Sequence, residues 1–89
     1  MREVIFKKHF RKDVERINRT GRDMSRLREV INLLGEGMPL PASNRDHQLV
    51  GNFSDYRECH LGGDWLLIYQ IKDNTVVLVR TGSHSELLG

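Results

Sequence analysis

Four short stretches of the chain carry side chains that can move protons or hold anions. They are Asp46-His47, His60 followed by Asp64-Trp65, Arg80, and His84. Imidazole titrates near neutrality, so one ring can accept a proton while another donates one. A guanidinium keeps its charge and meets phosphate oxygens in a forked geometry. An indole can stack on an unpaired base. Together these are the parts for acid–base chemistry on a phosphate ester, and RNA brings its own nucleophile, the 2′-hydroxyl. Taking its proton, stabilising the crowded phosphorane and protonating the leaving 5′-oxygen need no metal. A three-histidine metal site is the competing use, but the spacing of His47, His60 and His84 matches no metal signature. Each residue also has a plain structural use: a loop or hairpin hydrogen bond for His47 and His60, a core position for Trp65, a snorkelling tip for Arg80. Cys59 reads as a small buried apolar residue.

These groups must be positioned by elements that the pattern of apolar residues outlines. Val4-Ile5-Phe6 reads as a first strand. Lys7 to Arg19 reads as a helix with Phe10, Val14 and Ile17 on one face and Lys8, Lys12, Arg16 and Arg19 on the other. Gly21 breaks it, Asp23 caps a second helix, and Met24, Leu27, Ile31 and Leu34 stripe that helix. Gly35 and Gly37 are expected to end it, with Pro39 and Pro41 preventing a restart. Residues 38–55 read as a long ordered loop anchored by Leu40, Leu49, Val50 and Phe53, with a short extended piece at Gln48–Val50. A meander follows: Tyr56–Leu61, a turn at Gly62-Gly63, Asp64–Ile71, a turn at Lys72–Asn74, and Thr75–Thr81. Ser83–Gly89 is a tail with room for one helical turn. The order β-α-α-β-β-β describes an α+β fold, two antiparallel helices packed on one face of a curved, mainly antiparallel sheet. All four chemical stretches fall at strand ends or in loops, where a scaffold displays its working groups.

Length and charge narrow the class. Eighty-nine residues, 38% of them apolar, make one domain, 1–89, with no room for a separate cofactor fold. No apolar run is long enough to span a membrane, and the start Met1-Arg2-Glu3-Val4 lacks an export signal. One cysteine excludes an internal disulfide and a multi-cysteine zinc site. A cytoplasmic protein without a membrane partner is expected. Residues 1–45 hold eleven Lys and Arg against six Asp and Glu; residues 46–89 hold three against six. The basic surface and the titratable groups therefore come from different stretches, as suits a protein that attracts a polyanion with one part and acts on it with another.

Several motifs taken together resemble the YafQ-type ribonuclease toxins of the RelE superfamily, from bacterial type II toxin–antitoxin systems. They are Lys12-Asp13, Leu40-Pro41, Asp46-His47-Gln48-Leu49-Val50-Gly51, Tyr56-Arg57-Glu58-Cys59-His60, Asp64-Trp65-Leu66-Leu67-Ile68-Tyr69 and Arg80-Thr81-Gly82-Ser83-His84. The resemblance covers nearly the whole chain. It implies a RelE-like fold and a toxin that cleaves mRNA in the ribosomal A site without a metal or other cofactor, leaving a cyclic phosphate. It also implies a cognate antitoxin of the DinJ/RelB kind, with operator DNA bound only through the antitoxin complex. By position, the working residues fall on His47, His60, Asp64, Trp65, Arg80 and His84. His84 is the expected general acid; Asp64, His47 and His60 are alternatives for the base; Arg80 stabilises the phosphate; Trp65 and Leu88 hold the substrate base. Leu88 stands where family members often carry an aromatic ring. Lys8, Lys12, Arg16, Arg19, Arg22 and Arg26 are expected to grip ribosomal RNA. A toxin of the same fold that poisons gyrase, or one that binds without catalysis, is the alternative.

Overall fold

The computed structural model describes residues 1–88 of the chain. In order, the elements are β1 (Glu3–Phe6), α1 (Lys8–Arg19), α2 (Ser25–Glu36), β2 (His47–Gln48), β3 (Arg57–Gly62), β4 (Trp65–Lys72), β5 (Thr75–Ser83) and α3 (His84–Leu88). Single 3-10 turns at Ala42–Asn44 and Gly51–Phe53 fill the long loop. The strands form one sheet in the order β1-β5-β4-β3-β2. β1 lies parallel to β5, and the other pairs are antiparallel. This is the expected α+β architecture with one strand more, because His47–Gln48 pairs with Arg57–Glu58 rather than extending over Gln48–Val50.

The apolar runs settle on the two faces by parity. Phe10 and Ile17 of α1 and Leu27, Val30 and Leu34 of α2 close one core with Cys59, Leu61, Leu67, Tyr69, Val76 and Leu78. Leu66 and Ile68 are also buried, on the other face, so β4 is covered on both sides as its continuous apolar run implies. Gly35 does not end α2. It sits inside the helix, buried, facing Val4 of β1. Gly37, left-handed at φ +73°, is the cap, its N–H reaching Leu34 O at 3.2 Å. The N-cap of α2 is Met24, without a side-chain cap bond, rather than the expected Asp23, which stands one residue earlier and accepts the Ser25 N–H at 2.9 Å. β5 runs on to Ser83, and the tail is the helical turn α3; Gly89 lies outside the described residues.

Two local features aim the site. β1 pairs with β5 only over Thr75–Leu78, and beyond that α1 flanks the open edge, its Asp13 accepting the Thr81 N–H at 3.1 Å. The β4–β5 register slips between Ile68 and Tyr69, leaving Val79 as the extra residue just before Arg80. Bulges of this kind turn the following side chain.

Candidate active site

Directly opposed residues of antiparallel strands share a face. His47 opposes Glu58, Glu58 opposes Ile68, and Ile68 opposes Arg80. One row on, His60 opposes Leu66, which opposes Gly82. His47, Glu58, His60 and Arg80 therefore lie on one face, the one turned away from the α1–α2 core. α3 lies over the β5 end of it. Leu87 and Leu88 of that helix join Ile68, Arg80, Phe53 and Tyr56 around a hollow of about 290 Å³. His84 is the first residue of α3 and is exposed.

At the β2–β3 end two imidazoles meet one carboxylate. His47 Nε2 lies 3.2 Å and His60 Nε2 3.8 Å from Glu58 Oε2, and the two rings are 6.2 Å apart. The partners fix where the protons sit. His47 Nδ1 faces the Arg45 carbonyl at 2.8 Å, which can only accept, so Nδ1 carries hydrogen. Its Nε2 faces the Glu58 carboxylate. His60 Nδ1 faces an Arg45 amino group at 3.3 Å, a donor, so it accepts, and Nε2–H points toward Glu58. Glu58 is buried, and its Oε1 has no hydrogen-bond partner. Among the described residues, the cluster thus pairs two imidazoles with a buried carboxylate that keeps an unsatisfied acceptor. The same donor atoms, all within 4.8 Å of one another, could also ligate a divalent ion. Glu58 was not singled out by the sequence reading. Its signal was parity: Glu58 and His60, two apart on a strand, must share a face.

The loop before β2 is tied down. Asp46 accepts from Arg57 at 2.9 Å and from the Tyr69 hydroxyl. Burial, and then that carboxylate, push Tyr69 well above the usual phenol range. Asn44 donates to His60 O at 2.8 Å, and Arg45 between them takes a left-handed φ of +44°.

At the other end of the face, Arg80 donates from Nε and Nη2 to Asp13, at 2.7 and 3.1 Å. This bond raises Arg80 further above the ordinary guanidinium range. Asp64 does not meet the histidine pair; its carboxylate accepts the backbone N–H of His84 at 3.4 Å. Trp65 is not an open stacking platform. It is 4% exposed in the helix-side core, donates to Thr81 Oγ1 at 2.8 Å, and is covered by the Arg22 guanidinium 4.8 Å from its ring centre. Leu88 does reach the hollow beside Arg80. Cys59 is fully buried, and burial pushes its thiol up to about 12. Of the basic residues expected to grip RNA, Lys8, Lys12 and Arg19 are exposed. Arg22 and Arg26 are exposed as well and Arg16 is half-buried, but these three make contacts within the protein: Arg22 with Trp65, Arg26 with Leu61 O at 3.3 Å, and Arg16 with Asp13 and Glu86.

A profile of bacterial toxins of type II toxin–antitoxin systems, YafQ, matches residues 2–89. The chain belongs to the YafQ toxin family. The mRNA interferase toxin YafQ of Escherichia coli K12 is 36% identical over 89 residues, covering 99% of this chain and 97% of its own length. A copper-bound mutant toxin from Helicobacter pylori superposes with a TM-score of 0.95 at 42% identity, covering 99% of this chain and all of its own. YafQ in the E. coli DinJ–YafQ complex superposes at 0.91 with 36% identity, both chains fully covered. The resemblance read from the motifs is thus the right one for the whole chain, and the α+β fold is that of the family's solved structures.

Proposed function

We propose that this YafQ-family chain is an endoribonuclease that cleaves mRNA in the ribosomal A site, using the RNA 2′-hydroxyl as nucleophile, and so stops translation. The observation that carries the reading is the shared sheet face. A carboxylate–imidazole cluster and a phosphate-class guanidinium lie on it, separated by Ile68 on the intervening strand. The His47–Glu58–His60 cluster takes the 2′-hydroxyl proton through its more exposed imidazole, with the buried Glu58 carboxylate behind it balancing the charge. Arg80 has two of its five N–H groups on Asp13, and the others meet the phosphorane oxygens. His84, exposed at the start of α3, protonates the leaving 5′-oxygen. A substrate base rests in the hollow lined by Leu88 and Phe53. Asp64 serves this scheme by holding the His84 backbone rather than as the base.

Two findings on relatives extend the reading. DinJ is the partner of E. coli YafQ, which supports a cognate DinJ/RelB-like antitoxin here, with operator DNA contacted only through that complex and both partners in the cytoplasm. Copper is bound by the H. pylori toxin, and the His47–Glu58–His60 donors fit such an ion. A bound ion would supply Lewis acidity, and it would occupy the lone pairs that otherwise accept the proton. Base action by this cluster therefore belongs to the metal-free protein.

The test is to map cleavage positions on translating ribosomes with toxin treated with chelator beforehand. The wild type is expected to cut at A-site codons, and His84→Gln and Arg80→Ala to cut at least about a hundredfold more slowly. Cleavage at the full rate by both variants, or growth arrest through DNA damage with uncut mRNA, sinks the proposal.

A further inference from the structure

We propose that Asp13 is a positioning residue for this reaction: its buried carboxylate orients Arg80 and, through Arg16 and Glu86, the helix that begins with His84. The inference rests on the nuclease reading and adds residues that take no part in the chemistry itself.

Asp13 is 5% exposed and lies in the apolar stripe of α1, between Phe10 and Ile17. A buried carboxylate costs several kcal/mol in lost hydration unless it is paired. Here every bond is made. Oδ2 accepts from Arg80 Nε at 2.7 Å and from the Thr81 N–H at 3.1 Å; Oδ1 accepts from Arg80 Nη2 at 3.1 Å and Arg16 Nη2 at 3.2 Å. Apolar residues in place of the whole Asp13–Arg80 pair would serve stability as well or better, so stability alone does not account for the pair. What only the carboxylate supplies is direction. It grips one edge of the Arg80 fork and leaves three N–H groups for a ligand.

The same carboxylate reaches α3. Arg16 donates from Nη2 to Asp13 and from Nη1 to Glu86 Oε2 at 2.9 Å. Glu86 Oε1 accepts the Ser83 N–H at 2.8 Å, while Ser83 Oγ accepts the Glu86 N–H at 3.2 Å. This reciprocal pair is a capping box, written in the sequence as Ser83-x-x-Glu86, and it fixes the turn from which His84 projects. The link crosses directly over Gly82, where a Cβ would stand 3.0 Å from Glu86 Oε1 and 3.4 Å from Arg16 Nη2. One chain of contacts therefore sets both groups assigned to phosphate and leaving oxygen.

Glu86 provides the decisive variant, because it is exposed and its loss does not threaten the core. It places negative charge beside a site for a polyanion. On charge alone, Glu86→Ala should bind RNA better and cut at least as fast. Positioning predicts the opposite for turnover, because alanine removes both the capping-box acceptor and the Arg16 partner: kcat down by about tenfold, with KM unchanged or lower. Asp13→Asn, which keeps the shape and removes the charge, should lower kcat by at least about tenfold per folded molecule, with the folded fraction read by circular dichroism. His84→Gln is run beside them. If Glu86→Ala keeps or exceeds the wild-type kcat while His84→Gln is inactive, the positioning proposal is overturned and the nuclease reading stands. If His84→Gln cuts like the wild type, the nuclease reading itself has failed.

Discussion

Glu58 illustrates how a side chain can be costly to the fold and useful to the reaction. It is 5% exposed, one oxygen has no partner, and the other is shared between two imidazoles. Buried polar groups without partners cost about 1–3 kcal/mol, so the fold alone gives no reason to keep a carboxylate there. An amide at that position relieves the desolvation of charge and still hydrogen-bonds His47, but it cannot balance the charge of a protonated imidazole. Glu58→Gln is therefore expected to leave thermal stability unchanged or raised while single-turnover cleavage slows by about a hundredfold or more. A loss of melting temperature in step with activity would instead make Glu58 a structural residue. Asp46 behaves differently: both its oxygens are satisfied, by Arg57 and Tyr69, and it holds the chain just before His47.

At the scale of elements, α2 contains a glycine that packing does not require. Gly35 lies within the helix, and a Cβ on it would meet Val4 Cγ2 at 3.4 Å, an ordinary packing distance. Glycine inside a helix costs about 0.5–1 kcal/mol relative to alanine. Gly35→Ala should therefore stabilise the protein by up to about 1 kcal/mol, read as a higher urea midpoint at constant m-value, with cleavage unaffected because β1 and α2 lie outside the site face. The elements themselves were largely legible. Trp65–Tyr69 and Val76–Val79 are apolar at both parities, and they became the covered central strands β4 and β5. The parallel pairing of β1 with β5 was not legible, because a four-residue strand carries no mark of its partner. Trp65 had two readings, a core position at the head of a covered strand and a base-holding role implied by the resemblance, and the structure has it in the core. Asp13 was passed over because α1 was read as an apolar face and a basic face. Its spacing from Phe10 and Ile17 nonetheless put a carboxylate among the apolar residues. Glu58 and the Ser83–Glu86 capping box were likewise present as short-range patterns. What no local pattern contained was the register that joins the rows across three strands.

For the molecule as a whole, the uneven charge of the sequence becomes a division of labour that is narrower than composition suggested. The first half of the chain carries the excess of Lys and Arg. Yet Arg16, Arg22 and Arg26 are bound to Asp13 and Glu86, to Trp65, and to the Leu61 carbonyl. Such engaged guanidinium groups have fewer donors left for phosphate, and moving them would cost internal contacts. Lys8, Lys12 and Arg19 are exposed on α1, and among the described residues only Arg19 of the three forms an ion pair, with Glu15 at 3.8 Å, too exposed to hold it firmly. If these three side chains neutralise RNA phosphates, each releases counterions and contributes roughly 0.7–0.9 to the slope of log affinity against log salt concentration. Replacing all three by Gln should therefore flatten that slope by about 2–3 for binding to ribosomes and raise KM most at low salt. Turnover at saturating ribosome concentration should stay near the wild-type value, since none of the three touches the site face. The same replacement at Arg22 and Arg26 should change the salt slope little and lower thermal stability instead. Equal slopes for the Lys8, Lys12 and Arg19 variant and the wild type would remove α1 from the RNA contact and shift it to the site face itself.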